Sequence, residues 1–324
     1  MNSAIKVLIV GGGQIGSRHL QGALKSTHRL SITIVDPSLS SLELSKSRAQ
    51  STMLGHPSST IKYSQELPKN KNFNICIIST NANVRAKITR DLLVSCQIKH
   101  IIFEKVLFQK DTDYENISKL IDEKNIRAWV NCPHRTYFFY EEIKSTLDNR
   151  KAIEMSVSGS SWGMACNTIH YIDLFSYLVN CSDLKIVKTK FSDNILKSKR
   201  SKKFYEVNGL MEFKTGIHSL KIFCEHKENK SLNIKIKNKN IELFFNTDKG
   251  ILQSNIDGLI KTKNQNFPHQ SDLTEKLINN LIDKNKCGLT IYKESCKYHY
   301  LLLSVIRSHL SKILRTQLIE CPIT

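Results

Sequence analysis

The sequence predicts an α/β domain with a doubly wound parallel sheet, followed by an α+β domain with a large, mostly antiparallel open sheet. Up to residue 130, short runs rich in Ile and Val alternate with amphipathic segments, which is typical of βαβ units. From residue 184 to residue 253, β-like segments follow one another with almost no helical period, which favours an antiparallel sheet with one wet face. The length of 324 residues also suits two domains.

The first domain is assigned to residues 1–130, and short strands alternate with helices along it. The strands are Ile5–Val10, Ser31–Asp36, Asn74–Ser79, His100–Glu104 and Ala128–Asn131, and the helices are Ile15–Ser26, Leu39–Ser51, Ala82–Ser95 and Thr112–Lys124. Strands joined by helices pair in parallel, because each helix returns the chain to the same end of the sheet.

The second domain is assigned to residues 131–324, and a strand and a helix precede its β-rich stretch. The predicted elements are strands Lys151–Ser158, Phe204–Lys214, Ile217–His226, Leu232–Lys237 and Asn240–Asn246, and helices Ala165–Val179, Ser271–Lys284 and Lys293–Lys312. Ser271 or Asp272 is the expected cap of its helix. The final helices are candidates to pack back on the first domain.

The chain is strongly basic, with 48 Lys and Arg residues against 29 Asp and Glu residues and a formal net charge of +19. Much of this charge is lysine within residues 185–203 and 227–239. We interpret these stretches as solvated strand and loop faces, with attraction of phosphorylated substrates as the alternative. Nucleic acid is not the expected partner, because the basic stretches lack interleaved aromatic residues and a recognition motif.

Several classes of protein are excluded by simple patterns. No apolar run approaches the roughly 20 residues of a membrane helix, and the glycine-rich N-terminal segment is not a secretory signal. The nine cysteines are scattered, odd in number and without a CxxC pair, which indicates reduced thiols and no metal site. We therefore expect a cytoplasmic protein.

The strongest local motif is Gly11-Gly12-Gly13-Gln14-Ile15-Gly16, which follows one predicted strand and opens a helix. It fits the dinucleotide-binding pattern: Gly11 permits the tight turn, Gly13 lets the backbone approach a pyrophosphate, and Gly16 allows close helix–strand packing. Gln14 and Ile15 lie within the same cofactor-binding turn. The motif therefore predicts a Rossmann domain that binds NAD(P).

Asp36 ends the second predicted strand, twenty residues past Gly16. An Asp at this point accepts hydrogen bonds from a ribose 2′-hydroxyl and repels a 2′-phosphate, which favours NAD while NADP stays possible. The alternative is that the Asp36-Pro37 pair only opens a turn.

Three further segments complete a family pattern: Cys76–Asn81, Ile101–Lys105 and Trp162–Asp173. With the glycine turn and the β-rich C-terminal half, they resemble the Gfo/Idh/MocA family of sugar and cyclitol oxidoreductases over nearly the whole chain. The resemblance implies a second-domain sheet that covers the nicotinamide and mediates oligomerisation as a dimer or tetramer. It also implies that Lys105 orients and polarises the substrate and that His170 is the acid/base.

Two positions depart from the family pattern. Val106 replaces the proline of the Glu-Lys-Pro motif, and Cys166 stands where an Asp commonly precedes the histidine by four residues. The catalytic pair is nevertheless chemically coherent. Oxidation of a secondary alcohol needs a base near neutral pKa, and a neighbouring ammonium stabilises the developing alkoxide.

The remaining candidates fall into two groups. Thr80, Asn81 and Glu104 are predicted cofactor contacts at strand ends, although Thr80 and Asn81 also suit a plain turn. The predicted substrate contacts are Lys105, Arg135, Trp162, Asn167 and Asp173. Arg135 suits a carboxylate or phosphate, or else a salt bridge at the domain interface, and Asp173 is also a candidate to orient His170. Arg18 and His19 are expected to be structural or near the cofactor.

These patterns predict an NAD(P)-dependent oxidoreductase that moves hydride between the nicotinamide and a secondary alcohol or ketone of a sugar. The basic charge favours a nucleotide-linked or otherwise anionic sugar, and the resemblance implies a role in surface polysaccharide biosynthesis. Two alternatives stay open: a non-catalytic regulator or scaffold that binds NAD(P), and an NAD-dependent, redox-assisted elimination or hydrolysis of glycosides.

Overall fold

The computed structural model describes residues 3–198, 201–226 and 229–324. Lys199, Arg200, Lys227 and Glu228, which fall in the two basic stretches, lie outside the described residues. The chain divides into two compact units, Met1–Asn131 with Pro268–Lys293 and Cys132–Phe267 with Glu294–Thr324. Residues 268–293 therefore belong to the first unit, although the sequence assigns them to the second domain.

The elements before residue 131 follow the expected alternation of strand and helix. They are β1 (Ile5–Val10), α1 (Gln14–Leu24), β2 (Leu30–Val35), α2 (Leu39–Gln50), β3 (Thr60–Ser64), β4 (Lys71–Ile78), α3 (Ala82–Ser95), β5 (Cys96–Phe103), α4 (Asp111–Glu123) and β6 (Arg127–Val130). Strand β3 was not predicted, because its five residues are exposed or half-buried and carry no apolar run.

The later elements begin with a short 3-10 turn, Pro133–Thr136. They are α5 (Phe138–Thr146), β7 (Ile153–Ser160), α6 (Met164–Val179), β8 (Lys185–Phe191), β9 (Leu196–Lys197), β10 (Tyr205–Glu206), β11 (Gly209–Thr215), β12 (His218–Glu225), β13 (Asn233–Asn238), β14 (Ile241–Asn246), β15 (Ile251–Ile256), β16 (Leu259–Asn264), α7 (Gln270–Lys284), β17 (Thr290–Ile291) and α8 (Tyr292–Leu314).

The sheet of the first unit has, over the described residues, the order β17-β6-β5-β4-β1-β2-β3, and all its pairs are parallel except β17 with β6. The carboxyl ends of β5, β4, β1 and β2 therefore lie side by side at one edge. Helix α7 packs against α1, and its apolar residues Leu277, Ile278 and Leu281 join the core formed around β1. This packing accounts for the return of residues 268–293 to the first unit.

The second unit contains an eight-stranded sheet in its described residues, of order β16-β15-β14-β13-β7-β12-β11-β8. All neighbours are antiparallel except β7 and β12, which confirms the predicted large and mostly antiparallel open sheet. Along β7, buried residues alternate with half-buried or exposed ones, so the sheet has one apolar face and one polar face.

Two local predictions were wrong. The single strand predicted over 204–214 is two strands, β10 and β11, because Gly209 with φ +129° interrupts the extended chain and β10 pairs with β9 instead. The cap of α7 is His269, not Ser271 or Asp272. The Asp272 carboxylate accepts a hydrogen bond from Lys25 Nζ at 2.7 Å instead.

Candidate active site

The glycine turn between β1 and α1 has the geometry that its motif predicts. Gly11 has φ +98°, a conformation that disfavours any residue with a Cβ. A Cβ at Gly16 would lie 1.7 Å from the Gly11 carbonyl oxygen, so only glycine lets the helix start this close to the strand. At Gly13, no atom of the described residues beyond the adjoining backbone lies within 4 Å of the Cβ position. This open backbone at the start of α1 leaves room for a phosphate to approach the helix N-terminus.

Asp36 lies at the carboxyl end of β2 and is tied to the glycine turn. Its Oδ2 accepts a hydrogen bond from Gly12 N at 2.8 Å, and its Oδ1 accepts one from Ser38 N at 2.9 Å. The carboxylate thus shapes the turn at Pro37 and also faces the glycine turn. Because an ionised carboxylate has about four acceptor positions, it can still accept ribose hydroxyls.

Four predicted cofactor residues besides the glycines surround the glycine turn, and they differ in exposure and hydrogen bonding. The hydroxyl of Thr80, just past β4, is buried without a hydrogen-bond partner in the described part of the chain. Asn81 is exposed at the start of α3, and Ile15 is 38% exposed at the start of α1. Gln14 Oε1 accepts a hydrogen bond from Arg48 Nη2 at 2.6 Å. The orphaned hydroxyl and the open glycine backbone fit a dinucleotide at this edge.

Glu104 and Lys105 follow β5 at the same edge and are 6% and 8% exposed. Glu104 Oε1 accepts hydrogen bonds from His19 Nε2 at 3.0 Å and from Asn131 Nδ2 at 2.5 Å. Burial alone would raise the pKa of Glu104, but His19, Asn131 and Lys105 hold that pKa below its usual value. Glu104 is therefore a buried carboxylate, and Lys105 is fixed next to it in the chain.

The segment after Lys105 is held by a buried cation. Arg85 of α3 donates hydrogen bonds to the carbonyls of Val106 and Thr80, and to that of Leu107 at 2.8 Å. The Lys105–Val106 peptide bond is cis. Arg85 thus joins the chain after β4 to the chain after β5, which links a predicted cofactor residue to the predicted substrate lysine. No motif in the sequence marked Arg85, because its partners are backbone carbonyls.

In the second unit, helix α6 carries His170 and starts at Gly163, which has φ +75°. Asn167 Nδ2 donates to the Trp162 carbonyl at 2.8 Å, and Trp162 Nε1 donates to the Phe223 carbonyl at 3.2 Å. Both predicted substrate residues therefore have polar contacts that fix the start of this helix to β12. Contact with a substrate stays a prediction for both.

His134 was not predicted as a site residue, yet its ring stacks on the ring of His170. The centroids are 5.1 Å apart and the planes are inclined by 27°. His134 is 6% exposed and also contacts the rings of Tyr137, Tyr171 and Phe267 at 5.0 to 5.3 Å. The sequence signal that could have identified His134 is the aromatic run that starts three residues later at Tyr137, because aromatic rings pack against one another.

Arg135 and Asp173 form a buried ion pair within the second unit. Arg135 Nε lies 2.7 Å from Asp173 Oδ1, and their side chains are 11% and 0% exposed. Burial alone lowers the pKa of Arg135, but Asp173 raises it above the usual value. The salt bridge expected at a domain interface is thus internal to one unit. Asp173 has Arg135 as its ion-pair partner, and substrate contact stays a prediction for both residues.

A carboxylate reaches the start of α6 from a distant part of the chain. Glu206 of β10 accepts a hydrogen bond from Ala165 N at 2.8 Å through Oε2. An acid at a helix N-terminus is stabilised by the helix dipole and by the unpaired amides of the first turn. Cys166, one residue along, is buried and contacts the Gly163 carbonyl at 3.5 Å. Glu206 is therefore an acid held at the N-terminus of α6, where the residue it contacts, Ala165, directly precedes Cys166.

Neither a membrane helix nor a metal-binding cluster occurs in the described residues. No helix within residues 3–198, 201–226 and 229–324 is long and apolar enough to cross a membrane. In the part of the chain that the structure describes, no group of three His, Cys, Asp or Glu side chains is placed to hold a metal ion.

The fold and the glycine-turn edge define a Rossmann domain of the NAD(P)-binding kind, with a second, β-rich unit. Residues 5–132 match the oxidoreductase family model with an NAD-binding Rossmann fold, GFO_IDH_MocA. This match, to the NAD-binding domain of the Gfo/Idh/MocA oxidoreductases, covers the first domain and not the second unit. A search of curated protein sequences returned no match.

Solved structures with this fold cover nearly the whole chain. A dehydrogenase, MviM, from Clostridium difficile is 17% identical with a TM-score of 0.69, over 94% of this chain and 100% of that one. A variant of the 3-ketoreductase KijD10 from Actinomadura kijaniata, in complex with TDP-benzene and NADP, is 11% identical with a TM-score of 0.68, over 95% and 98%. A super-repressor mutant of Gal80p from Saccharomyces cerevisiae is 13% identical with a TM-score of 0.73, over 96% and 97%. At these identities, the likeness shows the fold alone.

Proposed function

We propose that this protein transfers hydride between NAD(P) and a secondary alcohol or ketone of a sugar, with Lys105 and His170 as its catalytic residues. The observation that carries the proposal is the edge formed by the carboxyl ends of β5, β4, β1 and β2. It brings the glycine turn, Asp36, the orphaned Thr80 hydroxyl and Lys105 to the place where open parallel sheets bind ligands.

In this proposal each residue has a separate task. The glycine turn and the N-terminus of α1 hold the pyrophosphate, and Asp36 accepts the adenosine ribose hydroxyls. When bound, the nicotinamide supplies the hydride acceptor in one direction and the hydride donor in the other. During oxidation, His170 takes the hydroxyl proton while the carbinol carbon loses hydride, and the Lys105 ammonium stabilises the alkoxide that develops.

The proposed substrate is a nucleotide-linked or otherwise anionic sugar in surface polysaccharide biosynthesis. The net charge of +19 supports an anionic substrate, because a positive field raises the local concentration of anions. The complex of KijD10 with a TDP derivative supports the nucleotide-linked class, on a shared fold. Arg135 is paired with Asp173, so the proposed attraction of an anion rests on the overall charge and not on Arg135.

The test is turnover of a panel of nucleotide sugars and free sugars, followed by NADH or NADPH absorbance. Lys105→Met and His170→Gln are each expected to lower kcat by about 100-fold or more, the usual range for loss of an electrostatic or acid/base group. NAD affinity should change little in His170→Gln. If the protein binds NAD but exchanges hydride with none of the sugars tested, the proposal is wrong.

Cofactor choice has its own variant. Asp36→Ser is expected to weaken NAD binding about tenfold and to strengthen NADP binding, because the acid that repels a 2′-phosphate is removed. Calorimetry on protein stripped of nucleotide measures both affinities. An unchanged preference would leave the Asp36-Pro37 pair as a turn only.

A non-catalytic regulator is the second candidate, favoured by Val106 and Cys166, which depart from the family pattern. Under this reading the protein binds NAD(P), but cells that carry Lys105→Met or His170→Gln keep its function. Redox-assisted elimination or hydrolysis is the third, and it predicts glycoside consumption without net formation of NADH.

We also propose a cytoplasmic homo-oligomer that assembles through the polar face of the eight-stranded sheet. The supporting observation is that every second residue of β7 is half-buried or exposed, so this face of the strand is accessible in the single chain. Light scattering on the purified protein gives the mass, and a Ser156→Arg variant on that face should lower it. A monomer at micromolar concentration would contradict the proposal.

A further inference from the structure

Three serine hydroxyls contact the carbonyl groups of the glycine turn, and they come from α1, from α2 and from the chain just after β4. Measured from Oγ to the carbonyl oxygen, the contacts are Ser17 with Gly13 at 2.7 Å, Ser45 with Gly12 at 2.8 Å and Ser79 with Gly11 at 2.9 Å. Ser17 and Ser45 are 0% exposed, so water does not reach these two serines. Three consecutive carbonyl groups of the turn are therefore held by side chains.

A carbonyl group that is held also fixes the amide that follows it. The peptide bonds of the turn are trans, and the C=O and N–H of a planar trans peptide point in opposite directions. The peptide between Gly11 and Gly12 shows this arrangement. Its oxygen accepts from Ser79, and its N–H donates to Asp36 Oδ2 at 2.8 Å. Each serine contact therefore determines where the next N–H points.

The next two peptides have their carbonyl oxygens turned toward Ser45 and Ser17. Their N–H groups, which belong to Gly13 and Gln14, therefore point away from these serines. Gly13 is half-buried and Gln14 is exposed, so this side of the turn is open. Amides at the start of a helix have no partner within the helix, and the helix dipole attracts an anion to them. The turn thus presents two fixed donors to a phosphate group.

We infer that Ser45, Ser79 and Ser17 are positioning residues for the dinucleotide, because they hold the glycine peptides with the Gly13 and Gln14 amides facing the pyrophosphate. This inference rests on the NAD(P) binding in the proposed function. Glycine has the widest choice of backbone conformations, so a turn of three glycines loses much freedom when it is ordered. Hydroxyls that order the turn before binding reduce this cost, and the gain appears as affinity.

The three serines should contribute unequally. The Ser45 hydroxyl has a single carbonyl partner among the described residues. The Ser79 hydroxyl lies 2.9 Å and 3.0 Å from two carbonyl oxygens, so its one proton is divided between them. The Gly13 carbonyl also accepts from Ser17 N at 3.0 Å, and this backbone bond survives when the Ser17 hydroxyl is removed. The loss of affinity should therefore be largest for Ser45 and smallest for Ser17.

The test is calorimetry of NAD binding by the full-length protein after bound nucleotide has been removed. Ser45→Ala is expected to weaken NAD binding about tenfold, which corresponds to the loss of one hydrogen bond to a charged group. Ser17→Ala should weaken it less than about threefold, because the backbone bond is kept. ADP should lose the same factor as NAD, since both carry a pyrophosphate, whereas the affinity for adenosine should stay unchanged.

Ser26→Ala is the matched control, because it removes another buried hydroxyl of the first unit, which lies 2.6 Å from Asn279 Oδ1. It should lower the urea midpoint about as much as Ser45→Ala and leave the NAD affinity unchanged. Equal NAD affinity in the two variants would overturn the inference, and so would an equal loss for adenosine. If Ser45→Ala does not fold, Ser79→Ala decides by the same comparison. A protein that binds NAD but transfers no hydride contradicts the proposed catalysis and leaves this comparison valid.

Discussion

The two units fix their candidate catalytic residues by different means. In the first, Glu104 beside Lys105 is held by hydrogen bonds from α1 and from the end of β6, and Arg85 holds the following chain. In the second, the ring of His170 stacks on that of His134, and Arg135 forms an ion pair with Asp173 on the same helix as His170. Hydrogen bonds fix the direction of donor and acceptor groups, whereas stacked rings fix the position of a ring.

The difference suits the two proposed tasks. A lysine that stabilises an alkoxide must keep its charge, so a network that settles the charges around it is useful. An acid/base residue must gain and lose a proton in each turnover, so it is better supported by packing than by a fixed donor. Substitutions in either unit test this contrast between hydrogen-bonded and stacked positioning.

The largest effect is expected from Gly16→Ala, which disrupts the close packing of α1 against the end of β1 in the first unit. The new Cβ would lie 1.7 Å from the Gly11 carbonyl oxygen, so the strand and helix must separate. We expect a loss of more than about 3 kcal/mol in unfolding free energy, measured in urea, together with loss of NAD binding.

Gly13→Ala is the matched control for this variant. Its Cβ meets open space and its φ is −67°, so stability should stay within about 0.5 kcal/mol while NAD affinity falls. Equal destabilisation by both substitutions would show that the turn is not held as described.

In the second unit, Arg135→Met leaves the Asp173 carboxylate buried without its ion-pair partner. Breaking one side of a buried ion pair costs about 3–5 kcal/mol. The double variant Arg135→Met with Asp173→Leu should recover much of this loss, because no uncompensated charge remains. Denaturant curves for the single and double variants measure both values, and a single variant as stable as the parent would contradict a structural role.

His134→Phe tests whether stacking alone positions His170. The substitution keeps an aromatic ring among the rings of Tyr137, Tyr171 and Phe267, so kcat should fall less than about fivefold. His134→Ala removes the ring and should lower kcat by more than tenfold with little change in the KM for NAD. Similar kcat values for the two variants would show that ring stacking does not position His170.

The smallest effect is a pH dependence of stability from His100, which lies in β5. Burial, with Lys99 and Arg127 nearby, lowers the pKa of His100 to about 4 from 6.5. Between these values the unfolded chain binds the proton and the folded chain does not, so stability falls as the pH drops from about 6.5 to about 4. The slope is at most about 1.4 kcal/mol per pH unit.

Urea midpoints across this range measure the slope, and His100→Gln should flatten it. Glu104 acts at lower pH, because its lowered pKa contributes stability that is lost only as the pH falls below the usual carboxylate range. An identical slope in the parent and His100→Gln would contradict the assignment.

Much of the first unit could be predicted from local patterns, and strand β1 and helix α3 match their predicted bounds. Helix α5 was not predicted, because three successive aromatic residues at its start suggest core without indicating a helix. The local geometry of the glycine turn could be predicted because one segment carries it. Contacts between distant segments could not: Glu104 lies 85 residues from His19, and Glu206 lies 41 residues from Ala165.

Because residues 268–293 belong to the first unit, they determine which fragments of the protein can fold by themselves. The first unit is discontinuous, because its helix α7 is encoded after most of the second unit. A fragment ending at residue 131 would expose the face of α1 that Leu277 and Ile278 cover, and it would leave His19 without Thr274. A dinucleotide-binding fragment that folds by itself should therefore join residues 3–131 to residues 268–293 through a linker. Translation follows the same constraint, since the Rossmann core cannot close until residues 132–267 of the other unit have been made.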